Sequence, residues 1–566
     1  MKRPPDLVYG VDDRPPLLIT LFNGLQHVGI IAINLVYPLV IFKIAGVPAS
    51  TTAELLSIGL VVLGIGTLIQ SWRGTPVGSG FMCPTTFTAT YFSASALAVK
   101  AGGLPLLFGM TLFAGCLEAV ISRTLSRLRA FLPTELSGFV VFMIGIAAGI
   151  AGVRTVFGAN APPMRDGEWL VAALTLGIMV ALNIWGKGAI KMLCALIGLG
   201  AGYAAALATG LFDSAQSASL TATPWLALPR PALTGWSFDI TLAITFAIAS
   251  LAAAMKAVGT IAMCQRMNDA DWARPEPRAV ARGVLGDGIT TALAGLAGAF
   301  GTNTATPSVG VAAATGIGSR YVAYAIGAIF IALGFLPKIA AMLAIMPRAV
   351  MAASLLFASC FIIVNGLQVM ASRMLDIRRT LTIGLAVIAG TAVDIFPAMA
   401  QSAPTVLAPL LASSLAFATV IALSLNLLFR IGVKKTVTLT VERDALGNTA
   451  ISDFLRTHGA AWGARAEIIA RASFAANQLV EAVADHGWRE GPLTLQASYD
   501  EFNLDLHASY TGTPLMFPDK RPTEQDIIEA DDGMSRLAGY LLRHNADRIR
   551  AEAKGAQAHI WFHFDH

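Results

Sequence analysis

Two stretches, GSGFMCPTTF from Gly78 to Phe87 and GTNTATPSVG from Gly301 to Gly310, place Gly, Pro, Thr and Ser inside otherwise apolar chain. Glycine and proline interrupt a helix. Non-helical backbone is tolerated at membrane depth only where it is buried in protein or lines a cavity. Paired interruptions in two halves of a chain point to a substrate site, because half-helix N-termini carry free N–H groups and positive dipole ends into the centre. Cys83, Pro84 and Thr85 mark the first break, and Pro307, Ser308 and Gly310 the second. The hydroxyls of Thr85 and Ser308, each following a proline, are expected to cap the two half-helices.

The surrounding composition sets the class. The chain is 55% hydrophobic and 13% charged, with a mean hydropathy of +0.65, where a soluble domain carries about 25% charged residues. An ordinary soluble enzyme is excluded, and an all-α polytopic membrane protein is expected. Apolar runs of bilayer length recur from Leu17 to Phe429, about fourteen of them at roughly 17–25 residues each. The third (79–98) and the tenth (303–317) contain the two broken stretches. Two further matches keep the same order: LQHVG (Leu25–Gly29) resembles MKAVG (Met255–Gly259), and FLPTELSG (131–138) resembles IMPRAVMA (345–352). The reading is two seven-span repeats, 17–212 and 238–430. Because seven is odd, the second enters the membrane from the opposite side, so the repeats are inverted.

The net charge of +5 is explained by topology rather than by a nucleic-acid partner. Bases such as Arg73, Arg123, Lys187, Lys191, Arg266 and Arg320 gather in loops on one side. That bias puts both termini, including the tail 1–16, in the cytoplasm of a multi-pass inner-membrane protein in contact with lipid. The five cysteines fall in apolar stretches without a CxxC pair or a Cys/His cluster, so no metal site, disulfide framework or cofactor is indicated. No nucleophile or phosphate loop has the spacing an enzyme needs. After Arg430 the chain turns alternating and charged, which predicts a separate cytoplasmic α+β domain over 433–566. Its helices are expected in the IIARASFAANQLVEAVADHG and GMSRLAGYLLRHNADRIR stretches, with strands at LTLQASYD, FNLDLHASY and the C-terminal AHIWFHFDH.

Gln26-His27 in the first span, RGVLGDGITT (Arg282–Thr291), PSVGVAAATG (Pro307–Gly316) and GSR (Gly318–Arg320) together resemble the nucleobase/ascorbate, or xanthine/uracil, permease family over about residues 17–430. Pro307, Gly310 and Thr315 fit the family's tenth-span signature, with Ser308 where asparagine is usual. The resemblance implies fourteen spans in two inverted repeats, divided into a core domain that holds substrate and a gate domain. Spans one, three, eight and ten meet at the site. It further implies alternating access as a homodimer, with proton coupling in bacterial members, a purine- or pyrimidine-like substrate, and a positioning role for the Gln26-His27 pair.

One departure lies at the centre of that pattern. The family's eighth span carries a glutamate three residues before a glycine; here Lys256 precedes Gly259. An ammonium donates three hydrogen bonds and accepts none, so it suits an anion such as urate, xanthine or another small organic anion. Thr260, one turn on, is a further contact candidate. Asp287 matches a family position, and with Glu118 and Asp394 it is an acid near a span, where ionisable groups are functional or paired. The C-terminal domain faintly resembles the ATPase fold of histidine kinases, but Asp485 follows Glu481 where asparagine is needed and Tyr510 precedes Gly512 where aspartate is needed. A regulatory or partner-binding role is expected instead. That domain also leaves open a membrane sensor as the competing function, with substrate occupancy reported to a cytoplasmic protein.

Overall fold

The computed structural model describes residues 3–5, 7–128, 134–157, 164–211, 220–221, 223–231, 234–272, 275–371, 377–404, 407–429, 435–442, 449–462, 464, 466–486, 488–500, 503–523 and 533–565. The expected boundaries at 212, 430, 433 and 566, and Pro133 of the third repeat match, lie outside the described residues. The chain divides into two compact units, Met1–Leu427 and Leu428–His566.

The first unit is helical. Its first half runs α1 (Leu17–Ala32), a 3-10 turn (Ile33–Leu35), α2 (Val36–Ile44), α3 (Ala49–Ser71), β1 (Thr85–Phe87), α4 (Phe92–Leu128), α5 (Thr134–Phe157), α6 (Asp166–Trp185), α7 (Gly188–Met192) and α8 (Cys194–Ala208). The second half runs α9 (Ile240–Asn268), α10 (Pro277–Ala297), β2 (Thr302–Thr304), α11 (Thr306–Thr315), α12 (Arg320–Gly334) and α13 (Pro337–Ala344). It continues through α14 (Arg348–Met370), α15 (Ile377–Ile395), α16 (Ala398–Gln401), α17 (Ala408–Leu411) and α18 (Ser414–Phe429). Among the described residues seven helical stretches are long and apolar enough to cross a bilayer, and α12 with α13, bent by 78°, makes an eighth. The chain is a multi-pass membrane protein.

The two broken stretches are where helix gives way to strand. β1 and β2 pair antiparallel, Thr85 opposite Thr304 and Phe87 opposite Thr302, and each strand leads into a helix. After β1 the helical run to Leu128 is itself interrupted at Gly102 and Gly103, the latter at φ +68°, a conformation glycine alone adopts cheaply. The expected third span is therefore a strand and a half-helix, and the fourth is the long segment beyond Gly103.

Packing separates the helices into two groups. Helices α1, α3, α4, α9, α10 and α12 pack on one another, and α5, α6, α8, α14 and α15 form the second set. In the first set α4 and α10 touch backbone to backbone: a Cβ added at Gly115 would stand 2.6 Å from the Gly288 carbonyl oxygen and 2.2 Å from the Ala292 nitrogen. Small residues at such crossings substitute close dispersion contact for the hydrophobic drive that lipid does not supply. Ion pairs join the second set, Arg348 Nε to Glu168 Oε1 at 2.7 Å and Arg379 Nη1 to Glu135 Oε1 at 3.3 Å.

The second unit is a five-stranded sheet in the order β3 (Lys435–Val441), β4 (Trp488–Tyr499), β5 (Asn503–Gly512), β7 (Gln557–Asp565), β6 (Arg548–Lys554), with every neighbour antiparallel. Residues alternate along β5, Leu504, Leu506, Ala508 and Tyr510 being buried, and that face packs with Ala472, Ala476 and Leu479 of α20 (Ala466–His486) and Leu455 of α19 (Ala450–Trp462) in one core. The helix expected to run to Arg550 stops earlier: α21 spans Gly533–Asn545, and RIRAEAK forms β6. The sheet continues there because alternating Arg548, Arg550 and Glu552 side chains can face solvent while the strand pairs with β7.

Candidate substrate site

Each broken stretch delivers a helix N-terminus to the same place. The Ala305 N–H donates to the Pro84 carbonyl (2.8 Å), locking the start of α11 to the start of β1. In the first half Thr88 caps the 3-10 turn Ala89–Tyr91 that precedes α4, its Oγ1 accepting from the Thr90 N–H. In the second half Ala305 precedes α11 with no side-chain cap. The expected pair of hydroxyl caps is therefore not formed. Thr85 lies within β1, its N–H donating to Thr67 Oγ1 of α3 (3.0 Å), and Ser308 Oγ is buried without a hydrogen-bond partner among the described residues. The two prolines are not equivalent either: Pro84 precedes its strand, whereas Pro307 follows its strand and occupies the first turn of α11. The residues that pair are TTF and TNT, not the two prolines on which the sequence match is set.

Lys256 stands at this junction. It sits half-buried on α9, and its Nζ donates to Thr88 Oγ1 at 3.3 Å. One turn further on, Thr260 Oγ1 shares a hydrogen bond with Thr306 Oγ1 (2.7 Å), so α9 touches the N-termini of both half-helices. Thr88 Oγ1 also meets Thr90 Oγ1 at 2.8 Å. Along β1 alternate residues share a face; Thr86, two before Thr88, accepts from Asn34 Nδ2 of the 3-10 turn after α1 (2.8 Å). The result is a row of hydroxyls, a carboxamide and one ammonium beside two helix N-termini, a set that favours negative charge. On the same two helices, a Cβ at Gly259 would meet no described atom within 4 Å, and one at Gly310 only Met263 Cε at 3.9 Å.

The acids divide. Glu118 and Asp287 are buried, close enough to Lys256 and to each other to interact electrostatically. Glu118 Oε2 accepts from the Tyr91 hydroxyl at 3.3 Å, while neither Asp287 oxygen has a hydrogen-bond partner among the described residues. Opposite charge nearby is what allows an ammonium to remain ionised in a dry setting. Asp394 lies elsewhere, in an ion pair with Arg154 Nη2 (3.2 Å) between α15 and α5. His27 is buried on α1 with its Nδ1 unpartnered among the described residues, and Gln26 beside it is half-buried. Cys83 is fully buried before β1, next to Met82, whose carbonyl accepts from Cys264 Sγ of α9 at 3.6 Å.

Sequence reading missed Thr86, Thr88, Thr306, Asn34 and Tyr91. The signal was present in TTFTATY (Thr85–Tyr91), where hydroxyls at Thr86 and Thr88 stand two residues apart inside an apolar span, the period of a strand. The structure brings Lys256 and Thr260 into direct contact with the half-helix starts, and it keeps Asp394 and Thr85 out of that contact.

A polytopic membrane protein with a polar centre where two half-helices begin has the build of a permease. The xanthine/uracil permease profile, described as Permease family, matches residues 18–399, and the chain belongs to that family. Among its relatives, Xanthine permease XanP of Escherichia coli (strain K12) is 29% identical over 448 residues, covering 75% of this chain and 95% of the relative. Uric acid permease PucJ of Bacillus subtilis (strain 168) is 27% identical over 434 residues, covering 73% and 93%. Among solved structures, the transmembrane domain of the cyanobacterial bicarbonate transporter BicA aligns with a TM-score of 0.47 at 16% identity, covering 74% of this chain and 99% of that one. The relatives are transporters rather than enzymes, and nucleobase transport follows from the family.

Proposed function

We propose that this permease carries an anionic oxidised purine, urate or the xanthine anion, across the inner membrane, with Lys256 as the substrate's charge partner. The contact of Lys256 Nζ with Thr88, at the meeting of two half-helix N-termini, carries the reading. A glutamate at this position would accept ring N–H groups; an ammonium instead donates to a carbonyl oxygen or a delocalised anion. Thr260, Ser308, Gly310 and the Thr306 hydroxyl complete the contact set, and Gln26 and His27 shape it from α1. Cys83, Pro84, Thr85 and Pro307 hold the two strands that present it.

Charge counting supports proton coupling. Glu118 and Asp287 act on each other, and two adjacent buried carboxyls share a proton rather than ionise together, so the cluster balances one ammonium against one carboxylate. Adding an anionic substrate leaves a negative excess in a dry setting that resists net charge, and a proton taken up with the substrate offsets it. The antiparallel pairing of β1 with β2 is the arrangement that two inverted seven-span repeats would give, and the two packing groups correspond to a core that moves against a gate in alternating access. Both termini and the domain 433–566 are placed in the cytoplasm by the loop bases, and a homodimer with a cytoplasmic partner at the C-terminal domain completes the proposal. The test is urate uptake into proteoliposomes with internal pH followed at the same time. Urate entry accompanied by acidification is expected, with acidification lost in Asp287→Asn; urate exclusion from the liposomes overturns the reading.

A further inference from the structure

The N-terminal segment before α1 is built into the first unit. Val8 and Tyr9 both donate their N–H groups to the Gly316 carbonyl (2.8 and 2.9 Å), Gly318 N–H donates to the Tyr9 carbonyl (2.8 Å), and Arg320 N–H donates to the Val11 carbonyl (3.1 Å). Gly316 is the left-handed residue that ends α11, so this strap grips the far end of the half-helix whose start faces Lys256. Side chains add to the grip. Arg320, 7% exposed, donates through Nε to the Val11 carbonyl (3.2 Å) and through Nη2 to Asp12 Oδ1 (2.8 Å). Asp12 also meets Arg73 Nη1 just beyond α3 (3.3 Å), and Ser319 Oγ donates to the Asp13 carbonyl (2.6 Å). Val11 packs against the apolar cluster that contains Phe81, Cys83, Ala257, Ile261 and Val309. That cluster joins the approach to β1, the middle of α9 and the first turn of α11, the three elements that place the site.

We propose that Asp12 and Arg320 are positioning residues for the substrate site, acting by stapling the segment Leu7–Arg14 to the C-terminal end of the half-helix α11. A ten-residue helix with no side-chain cap at its start is held by α1 and α9 along its side and by what it touches at its two ends. At the start that is Thr260 and Pro84; at the end it is the strap. Freeing the end lets the helix rock, and Thr306 and Ser308 then lose their fixed distance from Lys256. The strap makes the chain before the first span part of the binding apparatus rather than a trailing tail.

This inference rests on the substrate site proposed above, and its test includes a readout that needs no substrate. Hydrogen exchange of the full chain in detergent micelles is compared between wild type and Asp12→Ala, with Asp12→Glu as the conservative control. Faster exchange is expected across 306–316 in Asp12→Ala and not across 92–101, with protection recovered in Asp12→Glu; unchanged exchange at 306–316 overturns the proposal. In parallel, urate uptake is measured per folded transporter. The KM should rise about two- to fivefold in Asp12→Ala, the range a partly screened ion pair spans, with the maximal rate unchanged and KM restored by Asp12→Glu. A fall in maximal rate alone, at constant KM, also overturns it. Absence of urate uptake by the wild type would refute the substrate assignment while the exchange comparison still decides the role of the strap.

Discussion

Replacing Lys256 by glutamine keeps a hydrogen-bond donor, on a side chain one bond shorter, and removes its charge. In the structure the ammonium is half-buried and has, among the described residues, one hydrogen-bond partner, the neutral Thr88 at 3.3 Å, which leaves donors available to an incoming anion. A hydrogen bond to a charged group contributes about 1.5–3 kcal/mol, and each 1.4 kcal/mol is roughly tenfold in affinity. Lys256→Gln should therefore weaken urate binding about 10- to 100-fold, while a neutral purine such as hypoxanthine, which loses the charge assistance of one hydrogen bond but no attraction between opposite charges, should lose clearly less than urate. The assay is competition against radiolabelled urate on purified protein, with hypoxanthine titrated in the same preparation. Equal losses for the anion and the neutral purine would refute the charge argument, and so would an unchanged urate affinity.

Two further perturbations test the scaffold. Gly288→Ala would place a Cβ 2.6 Å from the Ala119 nitrogen and 2.8 Å from the Gly115 carbonyl oxygen; backbone cannot yield as a side chain can, and overpacking of this kind costs about 1–3 kcal/mol, so a lower melting temperature is expected with the protein still inserted in the membrane. In the C-terminal unit, burial, and then the charges of His559 and Lys554, hold His507 below the ordinary histidine value of 6.5. The native unit thus binds fewer protons than the unfolded chain below that pH, so its stability is full above about pH 6.5 and declines as the pH falls toward the folded value. His507→Gln should flatten this slope, read as hydrogen exchange of β5 and β7 between pH 5 and 8.

Much of the membrane unit was legible because its signals are long. Apolar runs of bilayer length and paired Gly/Pro interruptions survive any error of a few residues, and Lys256 could be picked out because a single charge in an apolar span is conspicuous. What was missed is short or non-local. Three-residue strands leave almost no pattern, so Pro84 and Pro307 drew the alignment away from TTF and TNT. The contact between Asp12 and Arg320 joins residues some three hundred positions apart, and nothing local in DDRPP announces it. Asp394 stood open between a coupling and a structural role because an isolated carboxylate in a span carries no label for its partner; Arg154, on another helix, is that partner. In the C-terminal unit ADRIR continued a helical pattern on paper, and only the free edge of β7 made it a strand.

The central claim, a nucleobase permease whose site is tuned to an anion by Lys256, is tested most directly by thermal unfolding of the purified full chain with urate and, separately, with uracil. A ligand at a hundred times its dissociation constant stabilises the native state by about 2.7 kcal/mol, enough to read as a clear rise in melting temperature. Urate should raise it in the wild type and fail to do so in Lys256→Glu, while uracil leaves the wild type unmoved. Stabilisation by uracil in both proteins, with no response to urate, would contradict the account and place Lys256 outside the site.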